Sequence, residues 1–188
     1  EPGGVGTVVG EGVDRGGELV GPGFVEGHIH LDTGFWGDKW FPYRPCTNGF
    51  EVAERVAIQA ESMAQAAPMA ERARNQLDLC IGQGSMLMRS HVMVDAASTG
   101  LRSLETILAV REAYRDLIDI QLVAFPQAGI VRSPGTAELL DEAVATGADL
   151  AGGPEPASFY REGEAHPGVI FGLADPRGGG GGGHPDGA

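Results

Sequence analysis

Apolar positions along this chain switch between two periods. Residues 24–31 (Phe-Val-Glu-Gly-His-Ile-His-Leu) have the composition of a strand, and so do residues 86–94 and 118–125. A shorter fourth strand falls at 148–152. Helical segments lie between them. Residues 51–65 have helical composition, with Asn48 suited to the N-cap. Pro68 opens a second helix that runs through Leu77 to Ile81, ended by Gly82 and Gly84. Leu104, Ile107, Leu108 and Val110 recur at about 3.6-residue spacing, in a helix starting at Thr99 or Ser103. Residues 136–146 form the last helix, and Gly147 stands where a C′ glycine belongs.

Strand and helix alternating in this way imply a parallel sheet, either doubly wound or a (β/α) barrel. A whole barrel has eight such units and roughly 250 residues. The expectation for these 188 residues is therefore an α/β fold with four such units, about half of a barrel if the sheet is one. Residues 1–20, rich in Gly and Val, read as one or two short strands and turns before the barrel segment, which runs over 21–174. Residues 175–188 contain six glycines in a row, Gly178 to Gly183. Polyglycine loses much backbone entropy on ordering and buries nothing, so this tail is expected to be disordered. It reads either as a linker or, the favoured reading, as a sequence artefact such as a frameshift. The start at Glu1, without methionine, suggests a fragment or a processed chain.

Composition narrows the partners. Against 26 acidic residues stand 13 basic ones, a formal charge of −13. That argues against nucleic acid or an anionic membrane surface. Cys46 and Cys80 are far apart and outside any CxxC spacing, which fits idle thiols in a reducing compartment. With no long apolar run and no charged-then-apolar leader, the expected location is cytoplasmic.

The chemistry concentrates at the strand ends. Residues two apart on a strand share a face, so His28 and His30 aim two imidazoles at one point, half of a zinc-type site. A bare HxH is more often two unrelated histidines. Here the second strand ends in Arg89-Ser-His91, the third in Phe125-Pro-Gln127, and the fourth approaches Glu155. C-terminal strand ends are where barrels carry their catalytic groups. Each residue also has a plainer reading. His91 suits a core histidine bonded to a carbonyl, Gln127 a turn residue, and Glu155 a solvated one. Asp32 suits a loop cap or a group that fixes a neighbouring imidazole. Glu26 suits a structural ion pair. The aromatic stretch with Phe35, Trp36, Trp40, Phe41 and Tyr43 reads as core packing or as a lid over a flat substrate.

The run Pro22-Gly-Phe-Val-Glu-Gly-His-Ile-His-Leu-Asp32 resembles the first-strand signature of the amidohydrolase superfamily. Two further stretches, Arg89-Ser-His-Val-Met-Val94 and Asp119-Ile-Gln-Leu-Val-Ala-Phe-Pro-Gln-Ala-Gly-Ile130, resemble its cytosine deaminase branch, which acts on pyrimidines, triazines and other N-heterocycles. So does Leu139-Leu-Asp-Glu-Ala143 with the stretch from Gly147 to Gly153. The resemblance implies that His28 and His30 bind a divalent metal, iron or zinc, and that Gln127 hydrogen-bonds the heterocycle edge. It implies supporting roles near the metal for His91 and Asp32. It also implies a partial (β/α)8 TIM barrel made of its first four units, a homo-oligomer in the intact protein, and a small β-sandwich of which residues 1–20 would be a remnant.

The same resemblance calls for a further histidine and a catalytic glutamate from strand five, a histidine from strand six and an aspartate from strand eight. Strand five is due just after residues 169–174, where the polyglycine begins. His184 and Asp186 fall near that place but lack an apolar strand to aim them, and the acid–base carboxylates are not identifiable. Met93 stands where relatives often carry a polar residue. The expected activity is metal-dependent hydrolysis of C–N bonds in N-heterocycles, cytosine deaminase-like, with triazine amines or cyclic amides as alternatives. The 188-residue chain itself is expected to have little or no activity, and a non-catalytic remnant is the competing reading. A half-barrel is expected to leave strands one and four as open edges.

Overall fold

The computed structural model describes residues 20–130, 133–153 and 182–183. The chain runs β1 (Phe24–Ile29), α1 (Val52–Met63), α2 (Met69–Gly82), β2 (Ser85–Met93), α3 (Arg102–Tyr114), β3 (Asp119–Phe125), α4 (Thr136–Thr146), β4 (Leu150–Gly153) and β5 (Gly182–Gly183). All neighbouring strands pair in parallel, and their spatial order is their chain order. A doubly wound sheet reverses direction at a switch point, and this one does not. Among the described strands, such chain-order winding is consistent with part of a (β/α) barrel.

β2 and β3 pair without interruption from Leu87 opposite Asp119 to Met93 opposite Phe125. That register sorts their side chains onto two faces. Met88, Val92, Ile120, Leu122 and Ala124 face the helices and form the core with Leu31, Leu77, Leu104, Ile107 and Leu140. Arg89 and Gln121, paired across the other face, hydrogen-bond through Nε and Oε1 at 2.6 Å. His91 and Met93 follow Arg89 on that face. One side of the sheet is thus covered by α2, α3 and α4, and the other carries polar and histidine side chains.

Several local expectations change. Glu51, not Asn48, caps α1, its carboxylate accepting the N–H groups of Ala53 and Glu54 at 3.2 and 2.7 Å. Asn48 sits instead in a turn beside Gly49, whose φ is +87°. α3 begins at Arg102, one residue before Ser103, and no side chain caps it. The Thr99 hydroxyl lies 3.4 Å from the carbonyl oxygens of Met93 and Gly100, and Ser103 is buried inside the helix. β4 starts later than expected, because Ala148 N–H still bonds the Ala143 carbonyl of α4. At its end, Gly152 and Gly153 pair with Gly182 and Gly183, so part of the glycine run forms a strand and β4 is not an open edge. The proposed sandwich remnant, residues 1–19, and the rest of the tail lie outside the described residues.

Candidate active site

β1 delivers His28 and His30 to the uncovered side of the sheet, and β2 delivers His91 beside them. The rings of His28 and His91 stack at 4.2 Å between centroids and 22° between planes. His30 stands 5.4 Å from His28 and 5.6 Å from His91. Phe125, at the end of β3, meets His30 and His91 edge-on at 5.9 and 5.7 Å. Three strands therefore bring three imidazoles and one aromatic ring into a single cluster. His91 is 4 % exposed, so it is both a core residue and a member of the cluster.

The donor chemistry suits a divalent cation, since neutral imidazole is a zinc and iron ligand. Among the described residues, however, no group of three or more His, Cys, Asp or Glu is arranged to hold a metal ion. The residues fit part of a metal site. Glu155, His184 and Asp186 lie outside the described residues. Glu26 makes no ion pair among them, and its carboxylate accepts the His28 backbone N–H at 3.0 Å.

One step beyond the cluster, Asp32 is fully buried. Its Oδ2 accepts Met93 N–H at 2.8 Å, and its Oδ1 has no hydrogen-bond partner among the described residues. Burial disfavours the charged form, pushing this carboxyl up to about 6 despite the Met93 bond. Ser90 Oγ accepts Leu31 N–H at 3.1 Å. Together these bonds fasten the end of β1 to β2.

Two buried charged residues near the strand ends escaped the sequence reading. Asp95, 1 % exposed, follows β2 and accepts Ala128 N–H with Oδ1 and Oδ2, at 3.0 and 3.2 Å. Its carboxyl too is pushed up to about 6 by burial. Ala128 is the residue after Gln127, so Asp95 holds the turn that presents Gln127. A polar residue right after the apolar run 92–94 was a signal of the same kind as Asp32. Arg72, in α2, donates from Nε to Ala67 O at 2.9 Å, from Nη2 to Asp32 O at 3.1 Å, and from Nη1 to Gly34 O. It ties the loop after β1 to α2. Nothing in its sequence surroundings marks it.

Gln127 lines two cavities. One, about 230 Å³, also touches Asp32, Thr33, Met63, Met69 and Met93. The other, about 480 Å³, lies against Phe35, Trp40, Phe41, Tyr43 and α1. Volumes of a few hundred Å³ suit small organic ligands.

The parallel sheet, wound in chain order, carries histidines and an amide at its C-terminal strand ends. Residues 11–169 match the Amidohydrolase family, and the chain belongs to that family. It is 31% identical over 173 residues to N-isopropylammelide isopropyl amidohydrolase from Pseudomonas sp. (strain ADP), covering 90% of this chain and 42% of that protein. Among solved structures, N-isopropylammelide isopropylaminohydrolase from Burkholderia multivorans is 36% identical, with a TM-score of 0.76 over 87% of this chain and 40% of that one. A 5-methylcytosine deaminase from Klebsiella pneumoniae is 30% identical, with a TM-score of 0.69 over 88% of this chain and 40% of its own. The chain thus spans about two fifths of these relatives. The names of these relatives give small N-heterocycles as what those proteins act on. None of the described helices is long and apolar enough to cross a membrane.

Proposed function

We propose that this chain is the N-terminal half of a (β/α)8 amidohydrolase that hydrolyses an exocyclic C–N bond of an N-heterocycle, cytosine deaminase-like or acting on a triazine amine. The observation that carries this reading is the clustering of His28, His30 and His91 at 4.2–5.6 Å on the face away from the helices. His28 and His30 would hold a divalent iron or zinc ion, with His91 stacked behind His28 to fix its ring. When bound, such a metal lowers the pKa of water towards ~7 and so supplies hydroxide at neutral pH.

The chain's own residues account for binding and orientation. Gln127 offers one amide donor and one acceptor, complementary to the edge of an aminopyrimidine or aminotriazine. Contacts of this kind discriminate strongly, because a wrong ring leaves buried polar groups unpaired. Asp32 clamps β1 against β2 and keeps the two histidines in register with His91. The carboxylates that would move protons belong to later strands. The triazine reading draws on the relatives that act on N-isopropylammelide, and the cytosine reading on the deaminase.

Two histidines make a weak metal site without a third protein ligand. The purified chain is therefore expected to bind Zn2+ weakly, with histidine ring NMR signals of His28 and His30 shifting and His30→Ala abolishing the effect. It is expected to release no ammonia from cytosine. Zinc titration that leaves both histidines unmoved would overturn the metal assignment. Robust metal-dependent ammonia release would overturn the half-site reading.

A further inference from the structure

The aromatic stretch between β1 and α1 is not core packing. Trp40 is 85% exposed, Tyr43 78% and Trp36 55%. Solvent-exposed tryptophan at this density marks a surface built to meet something. Beside the tryptophans, the rings of Phe35 and Phe41 are held in place. Phe35 and Phe41 contact at 4.8 Å, Lys39 Nζ lies 5.2 Å from the Phe41 ring centroid, and the Arg72 guanidinium 5.6 Å from that of Phe35. The Asp38 carboxylate accepts Ala67 N–H at 2.7 Å, pinning the loop to the start of α2. This fixed aromatic wall and Gln127 line the same 480 Å³ cavity.

We propose that residues 35–43 form a stacking platform for a planar N-heterocycle, with Trp40 as the residue that selects for ring planarity. The inference rests on the reading of Gln127 as the group that meets the ring edge. Stacking recognises the face of a flat ring and an amide recognises its edge. A cavity that offers both selects a flat ring bearing nitrogen donors and acceptors. A saturated ring of the same size fits the volume but offers no π-face.

The two tryptophans of the chain are both in this stretch, so intrinsic fluorescence reports on it directly. Cytosine is the probe, titrated into the purified chain, with cyclohexylamine as a non-planar control. Saturable quenching by cytosine alone is expected. Trp40→Phe should weaken apparent affinity at least fivefold and remove most of the quench, while Trp36→Phe keeps both. Trp40 is exposed, so this variant should fold as the parent does.

Linear, non-saturating quenching would overturn the platform, as would equal quenching by cyclohexylamine or unchanged affinity in Trp40→Phe. A blue shift that grows with protein concentration, in the absence of probe, would also overturn it, since a second copy would then cover the surface. Gln127→Ala separates the two readings. If Trp40→Phe weakens binding and Gln127→Ala does not, the platform stands and the ring-edge role of Gln127 falls.

Discussion

Asp95 shows how one buried carboxylate can govern the placement of Gln127, proposed above to bind the ring edge, by holding the residue after it. Gly129 N–H closes the turn on the Pro126 carbonyl at 2.9 Å, and Gln127 N–H bonds the Phe125 carbonyl at 3.1 Å. Ala128 N–H is left for Asp95. Removing that acceptor leaves a buried N–H unpaired, a loss of roughly 1–3 kcal/mol. Asp95→Ala is expected to raise hydrogen exchange at Ala128 at least tenfold. Asp95→Asn, which keeps one acceptor oxygen, should retain most of the protection. Equal exchange in all three proteins would show that the carboxylate does not hold the turn.

The same residue sets a pH dependence. Its carboxyl is raised from 3.8 to about 6 in the fold, so the folded state binds the proton more tightly than the unfolded chain does. The stability it contributes is full below 3.8 and is lost as pH rises through about 6. The melting temperature of the parent, measured against that of Asp95→Asn, should fall across this window and level off above it. A flat difference would contradict the burial effect.

At the scale of elements, α1 depends on its ends more than on its packing. Ile58 is its one buried residue, yet Val56, Gln59, Ala60 and Met63 wall the cavities that Gln127 shares. The Glu51 carboxylate satisfies two of the helix's unpaired N–H groups and lies favourably at the positive end of its dipole. Glu51→Ala is expected to cost about 1 kcal/mol, felt first as faster exchange in the first turn of α1. Exchange rising uniformly through β2 and β3 instead would mean that the helix does not open separately.

Here the sequence was informative about elements and less so about their ends. Composition, Pro and Gly signals and, for α3, periodicity found the four described helices, and apolar runs found β1 to β4. Capping is decided by which side chain reaches which N–H. Glu51 reaches where Asn48, turned away by Gly49, does not. The site was partly legible for a similar reason. His28 and His30 announce themselves by spacing on one strand. Asp95 and Arg72 act through contacts with residues 33 and 38 positions away, which no local pattern encodes.

For the molecule as a whole, the uncovered sheet face and the β1 edge outweigh any single residue. Val25 and Leu87, partners where β1 and β2 begin, are 65 and 42% exposed, and Leu87 shares its face with Arg89 and His91. Among the described residues no strand pairs with the outer side of β1, and such an edge presents backbone groups to a second chain. Opposing this is the charge of −13, which makes copies repel one another. Salt screens that repulsion, with a Debye length of about 8 Å at physiological ionic strength and about 3 Å at 1 M, and leaves apolar burial intact. Self-association is therefore expected to strengthen as salt rises, the reverse of an assembly held by ion pairs. Sedimentation velocity at several concentrations and salt levels measures this directly. Replacing Val25 and Leu87 together by lysine puts charge on the apolar patch and should shift the chain towards monomer at every salt level. Association that weakens with salt, or is indifferent to the double substitution, would place the contact elsewhere than on the face that carries the histidines.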